Sequence, residues 1–281
     1  MSLNNGYADL HIHTNASDST FTAADVIKNA LEVGLSVVGI TDHDTVDSLD
    51  EAIRLGEEAG IEVIPGIELS AEENGAEIHI LGYCIDHKDE ELRATLKMLK
   101  DSRMERAILI LAKLKELNIP LKIEDVLKLT EKFTAVGRLH IARAMKAGGY
   151  IPAVVDAFRR YIGQNGPAYV GKYKMSPAEV IGLIHKAGGL AVLAHPGVLN
   201  NDDLVQRLID AGLDGIEVHH TEHNSSAIDR YKHIAVKNGM LITGGSDCHG
   251  LSKNKMLLGT ILIPYEFVEQ LKARRGKRKG D

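Results

Sequence analysis

The chain has 281 residues, 39 acidic against 33 basic side chains, a formal net charge of −6 and 44% hydrophobic residues. That is the composition of an ordinary globular protein, long enough to bury a substantial core, and its two cysteines, Cys84 and Cys248, exclude a disulfide scaffold and fit a reducing compartment. No apolar run reaches the ~18–20 residues of a membrane span, and the opening MSLNNGYADL lacks the features of a secretory signal, so a cytoplasmic protein without membrane partners is expected.

Strand and helix signals alternate over the first hundred residues. Tyr7–His13 reads as a strand, and Thr22 to Asp25 reads as a capping box that opens a helix through Leu31. Leu35–Thr41 is an apolar β-branched run, Ser48–Ala59 a second helix ended by Gly60, Ile61–Ile67 a third strand and Glu77–Tyr83 a fourth. From Asp89 to Leu117 the apolar residues fall at helical spacing, and shorter helical segments follow near Ile123–Leu129, Leu139–Lys146 and Ala153–Ile162. The alternation resumes at the capping box Ser176–Glu179, with strands expected at Leu190–Ala194, Gly215–His219, Met240–Gly244 and Leu257–Ile263 and helices near Asp203–Ala211 and Ala227–Lys237. Continuous apolar strands alternating with helices indicate a mostly parallel sheet covered on its outer face. The expected organisation is a barrel-like domain at 1–99 and 168–281, a helical insertion at 100–167, and a basic tail at 272–281. That tail carries six basic side chains and one acid, leaving a charge of −11 on the rest. It reads as a solvated, disordered end, or else as an arm that attracts phosphates. So acidic a body argues against a long nucleic-acid groove.

The chemistry lies at the strand ends. Thirteen histidines are a heavy load for a chain with no tryptophan and four phenylalanines. The first strand ends in His11 and His13, with Asp18 following; the second leads into Asp42-His43-Asp44; the third ends in Glu68; His79 lies in the fourth. The later strands lead into His195, His219-His220 and Asp247-Cys248-His249. In a parallel barrel these ends converge on one face. His11 and His13, two apart on a strand, point to the same side, which suits two bonds to one metal. Mixed imidazole and carboxylate donors suit manganese, iron or zinc better than calcium or magnesium. Asp42 and Asp44 flank His43 and can orient it, Asp44 equally being a cap for the next helix. Alternation turns Cys248 away from its neighbours, into the core. His87, His185, His223 and His233 have no functional partner in this reading.

The motifs DLHIHT, ITDHD, GIE, EIHILGY, AHP and GSDCHG, in this order between Ala8 and Leu262, resemble those of the PHP (polymerase and histidinol phosphatase) superfamily of metal-dependent phosphoesterases. Residues Gly137 to Arg143, GRLHIAR, resemble the GRPHIAR segment of its small bacterial phosphatases, with Leu139 in place of proline. The resemblance implies an α/β fold, a distorted parallel (β/α)7-type barrel with an all-helical insertion lying over the active face as a partial lid. It implies nine ligands for two or three divalent transition-metal ions (manganese, iron or zinc): His11, His13 and Asp247 on one, Glu68 bridging to a second with His79 and His195, and Asp18, His43 and His249 on a third. Arg138 would bind the substrate's phosphate, His140 would assist it, and His220 would line the pocket. Strict strand alternation does not choose between His219 and His220, and the EVxH pattern favours the latter. Phosphate-ester hydrolysis is then expected, with charge neutralised by the ions and Arg138 and the departing alkoxide protonated by His220 or His140. The substrate expected is a small nucleotide, a nucleoside 3′,5′-bisphosphate or monophosphate, with trimming of short RNA from the 5′ end as a related activity and no protein partner. Histidinol phosphate is the alternative substrate. A non-catalytic, metal-bound docking module is the alternative class, and the presence of all nine ligands speaks against it.

Overall fold

Local sequence dictates the first βα units: β1 (Tyr7–Ile12), α1 (Ala23–Glu32), β2 (Leu35–Ile40) and α2 (Leu49–Ala59). Thr22 caps α1 reciprocally, its Oγ1 accepting from the Asp25 amide at 3.1 Å while the Asp25 carboxylate accepts from the Thr22 amide at 2.9 Å. The computed structural model describes residues 6–129, 136–251 and 255–278. Beyond α2, β3 (Glu62–Glu73) and β4 (Ala76–Tyr83) form a hairpin. Its two-residue turn, Asn74-Gly75, holds φ values of +52° and +85°, the conformation that this dipeptide tolerates best. Then come α3 (Glu90–Glu116), α4 (Ile123–Leu127), α5 (Arg138–Ala147), α6 (Val154–Ala157) and a π-helical turn at Phe158–Ile162. The chain continues through α7 (Pro177–Lys186), β5 (Leu190–Leu193), α8 (Pro196–Leu199), α9 (Asp202–Asp210), β6 (Gly215–His220), α10 (Ser225–Lys237), β7 (Leu241–Gly245), β8 (Ile263–Pro264) and α11 (Tyr265–Arg278).

The strands form one eight-stranded sheet in the order β7-β6-β5-β4-β3-β2-β1-β8. It curls until β1 meets the end of β7, where Ile12 bridges Cys248 and the His13 amide donates to the Cys248 carbonyl at 3.0 Å. The barrel is α/β and nearly closed. Its pairs β1-β2, β2-β3, β5-β6 and β6-β7 are parallel, as the alternation implies. The distortion is β4, which runs antiparallel to both β3 and β5 because a tight hairpin permits no other direction. The reversal puts the early residues of β4, His79 among them, at the rim where the parallel strands end. There are eight strands where about seven are expected. Leu257–Ile263 is a strand only at its end, since Gly259 turns at φ +71° and gives its amide to Asp9 Oδ2 at 3.1 Å.

Two compact units result: Met1–Arg93 with Lys174–Asp281, and Ala94–Tyr173. The first contains the barrel, filled by Ala8, Leu10, Val37, Leu81, Val192 and their neighbours. The second is helical, built around Ile110, Leu114, Ile141 and Met145. It is wider than 100–167 because Ala168 and Val170 pack in its core, Arg106 Nε donates to the Val170 carbonyl, and Lys113 Nζ donates to that of Tyr169. The expectation of a disordered 272–281 is corrected over 272–278, which continues α11; residues 279–281 lie outside the described residues. Lys272 pairs with Glu62, Arg274 donates to the Gly239 carbonyl and Arg275 to that of Gly188. The two arginines thus meet the carbonyl ends of α10 and α7, where cations are favoured by the helix dipole. Among the described residues, no helix is long and apolar enough to cross a membrane.

Candidate metal centre

β1, β2, β3 and the segments after β5 and β7 deliver side chains to one rim of the barrel, and the reversed β4 adds His79. At the centre stands Glu68, buried among five imidazoles. Its Oε1 lies 3.0 Å from His79 Nδ1 and 3.2 Å from His195 Nε2. Its Oε2 lies 3.0 Å from His43 Nδ1, 3.3 Å from His13 Nε2 and 3.4 Å from His11 Nε2. Asp247 Oδ1 approaches His13 Nε2 at 3.1 Å and His11 Nε2 at 3.5 Å, and Asp18 Oδ1 approaches His249 Nε2 at 3.1 Å. All nine residues named for the metals therefore meet at this rim. Eight of them fall into three overlapping donor groups: His11, His13, Glu68 and Asp247; His13, Asp18, His43 and His249; and His43, Glu68 and His79; a fourth group joins His11 to Glu217 and His220, and His195 falls in none. The grouping differs from the partition the resemblance implies, since Glu68 joins the first set, His13 is shared, and His43 takes the place given to His195.

The donor set fits divalent ions. His11 Nε2, His13 Nε2, Glu68 Oε2 and His79 Nδ1 are buried and, among the described residues, make no hydrogen bond. Their close approaches lack hydrogen-bond geometry, as when ligand atoms face a common point instead of each other. Several tautomers are set to leave a lone pair inward. His249 Nδ1 donates to the Asp247 carbonyl at 2.9 Å, which turns its Nε2 toward Asp18. Imidazole with carboxylate is the donor chemistry of zinc, manganese and iron.

Electrostatics point the same way. Burial raises carboxylate pKa values, yet the surrounding imidazoles hold Glu68 well below the usual range, and Asp18 and Asp247 are lowered too. Burial pushes His43 down to about 3 and His220 down to about 4, so both rings are neutral. Burial also opposes charge on His13 and His79, but the adjoining carboxylates outweigh it and raise them to about 9 and about 10. At neutral pH these two imidazoles carry protons that an entering cation must displace. Metal affinity therefore rises as pH climbs toward 9–10 and falls as pH drops. Calorimetric titration of metal-stripped protein with zinc at pH 7, in buffers of different ionisation enthalpy, is expected to show more than one proton released per chain. Binding without proton release would overturn this picture of the site.

His220 faces the cluster, buried, with its ring centroid 5.4 Å from that of His195 and Nε2 3.9 Å from Asp247 Oδ2. His219 points the other way, onto Phe267. Arg138 is the first residue of α5 in the helical unit; its guanidinium packs against Phe158 and Tyr169, and its Nη1 donates to the Ile162 carbonyl at 3.3 Å. Two residues on, His140 Nδ1 accepts from the Gly137 amide at 3.1 Å and so caps that helix. Asp42 does not orient His43. It accepts from the Thr14 amide and from the hydroxyls of Thr14, Ser17 and Ser48, bracing the loop that carries Asp18. Asp44 holds Ser70 of β3. Cys248 is buried, as alternation implies. Two buried carboxylates escape the sequence reading. Asp9 accepts from the Ser246, Gly259 and His11 amides, and burial pushes its pKa up to about 6. Glu217 bonds His11 Nδ1 at 3.0 Å. Each lies two residues before a histidine of its own strand, Asp9 before His11 and Glu217 before His219, and that spacing is the signal that could have marked it.

The family model described as "PHP domain" matches residues 9–165. Among characterised proteins, a phosphoribosyl 1,2-cyclic phosphate 1,2-diphosphodiesterase of Eggerthella lenta is 33% identical over 86% of this chain and 94% of its own. A 3′,5′-nucleoside bisphosphate phosphatase of Chromobacterium violaceum is 32% identical over 86% of each. The 5′-3′ exoribonuclease Rnm of Salmonella typhimurium is 32% identical over 86% and 84%. A crystal structure of a metal-dependent phosphoesterase from Bifidobacterium adolescentis superposes with a TM-score of 0.80 at 32% identity, covering 95% of this chain and 96% of its own.

Proposed function

Because the chain belongs to the PHP domain family and is a metal-dependent phosphoester hydrolase, we propose that it removes phosphate from small nucleotides, a nucleoside 3′,5′-bisphosphate or monophosphate. The observation that carries this reading is the rim centred on Glu68, with five imidazoles within 3.0–3.4 Å of one carboxylate. His11, His13, Asp18, His43, Glu68, His79, His195, Asp247 and His249 would hold two or three manganese, iron or zinc ions. Such ions, when bound, supply a water acidified to near-neutral pKa and neutralise phosphoryl charge.

The chain's own groups do the rest. His220 Nδ1 accepts from the Glu222 amide at 3.2 Å, so the ring proton sits on Nε2. With its pKa down at about 4, His220 acts as a neutral donor that orients a phosphoryl oxygen; handing a proton to the departing alkoxide would need a charged ring, which burial opposes. Asp42, through Thr14 and Ser17, keeps the Asp18 loop in place. A small substrate is favoured over recruited RNA because Lys272, Arg274 and Arg275, half of the basic residues in the last ten, are bound to the barrel. The exoribonuclease relatives support short 5′-phosphorylated RNA as a second substrate.

A phosphate-release panel tests the proposal, using nucleoside 3′,5′-bisphosphates, monophosphates, 5′-phosphorylated oligoribonucleotides, phosphoribosyl 1,2-cyclic phosphate and histidinol phosphate. The highest kcat/KM is expected on a nucleotide monoester. A cyclic diester, histidinol phosphate or RNA turned over about tenfold faster would overturn it. Arg138, assigned to the phosphate by its motif, is tested on the same substrate. Arg138→Ala is expected to lower kcat/KM about ten- to a hundredfold at unchanged metal content, the scale of one charged hydrogen bond. An unchanged kcat/KM would leave the guanidinium a structural group, packed on Phe158 and Tyr169 and bonded to the Ile162 carbonyl.

A further inference from the structure

We infer that Glu217, which falls in a donor group with His11 and His220 but turns its oxygens to the His11 Nδ1 and the His195 amide, is the positioning residue that sets the metal-binding geometry of His11 and His195 together. The inference rests on the metal-centre reading above. Glu217 lies in β6, fully buried, and its two carboxylate oxygens serve β1 and the segment between β5 and α8. Oε1 accepts from His11 Nδ1 at 3.0 Å. Oε2 accepts from the backbone amide of His195 at 2.8 Å.

Each bond has a specific consequence. Because a carboxylate only accepts, His11 must carry a proton on Nδ1, and Nε2 is the atom left for a metal, facing Glu68 Oε2 and Asp247 Oδ1, 3.4 and 3.5 Å away. His195 stands at φ +28° and ψ +58°, a conformation that costs a non-glycine residue on the order of 1–3 kcal/mol unless its surroundings hold it. The Glu217 oxygen on its amide is such a hold, and it keeps His195 Nε2 3.2 Å from Glu68 Oε1. Both partners are donors, so both oxygens must be acceptors. Glutamine, despite its shape, would set an NH2 group against an N–H at one end or the other. Aspartate keeps two acceptors and retracts them by one methylene. Glu217 therefore requires its charge type as well as its length.

The test uses the full-length, metal-stripped chain and zinc alone, titrated against a chromophoric chelator. Wild type is expected to bind zinc, Glu217→Gln to bind its tightest ion about ten- to a hundredfold more weakly, and Glu217→Asp to recover part of that loss. A second readout needs no variant: in zinc-loaded wild type, 1H–15N correlation of the imidazoles is expected to show a slowly exchanging proton on Nδ1 of His11. Glu217→Gln that is folded by circular dichroism and binds zinc as wild type does would overturn the assignment and leave the metal centre standing. So would a His11 ring whose Nδ1 bears no such proton, whether or not the variants fold. Wild type that binds no zinc would overturn the metal centre and this assignment with it.

Discussion

Glu68→Gln is expected to abolish phosphate release and strip the protein of metal. Loss of a residue that merely supports a ligand typically costs 10- to 100-fold in affinity or activity, and Glu68 touches five imidazoles directly, so the loss should exceed about a hundredfold. Metal content by mass spectrometry and phosphate release on the preferred nucleotide check it together. A variant with full metal content and activity would remove Glu68 from the centre. The metal-free protein adds a test with a definite sign. His79 is raised from 6.5 to about 10, although burial alone would lower it, largely through attraction to Glu68, whose own pKa is driven below 4.5. The pair therefore stabilises the fold fully between about pH 4.5 and 6.5, and the contribution fades as pH rises through about 10. Glu68→Gln should lower the Tm of metal-free protein most near pH 5.5 and least above pH 10.

The second large effect is expected from a single methyl group far less conspicuous than a ligand. At Gly245, the last residue of β7, an added Cβ would lie 2.3 Å from the His11 amide nitrogen and 2.3 Å from its Cβ. The obstacle is backbone, so β1 itself must move. Overpacking of this kind costs about 1–3 kcal/mol, and each kcal/mol lowers Tm by roughly 2–4 °C in a chain of this size. Gly245→Ala should therefore melt earlier by several degrees and, by displacing His11, bind zinc more weakly. Gly182, inside α7, meets nothing within 4 Å of an added Cβ. Gly182→Ala is the control of opposite sign, since alanine is favoured over glycine in a helix interior by ~1 kcal/mol. Equal Tm values for the two variants would show that β7 and β1 do not constrain each other as described.

The candidate ligands were legible because metal chemistry needs rare residue types at strand ends, and His11, His13, Glu68 and Asp247 stand out from the apolar residues around them. Strand direction was less legible, although Asn74-Gly75 carries the hairpin signal: β4 is as apolar as its parallel neighbours, and the turn was passed over. Glu217 and Asp9 were missed for the opposite reason. They sit inside strands where alternation assigns only core, and their partners, His11 Nδ1 and the amides of His195 and Ser246, become neighbours only once the barrel closes. The tail was misread from charge alone. Nothing local to Lys272, Arg274 or Arg275 announces that Glu62, Gly239 and Gly188 will be waiting for them.

His11 and His13 emerge from synthesis long before Asp247 and His249, yet one donor group needs His13 and His249 and another needs His11 and Asp247. A nascent chain that has formed β1 to β4 holds His11, His13, Glu68 and His79 but has no strand to close against β1. Since chains fold from the amino end as they are made, the centre assembles only when the last barrel strands arrive. Ion uptake thus reports that synthesis has passed β7. A product broken off before β7 would lack Asp247 and His249, and with them two of the donor groups.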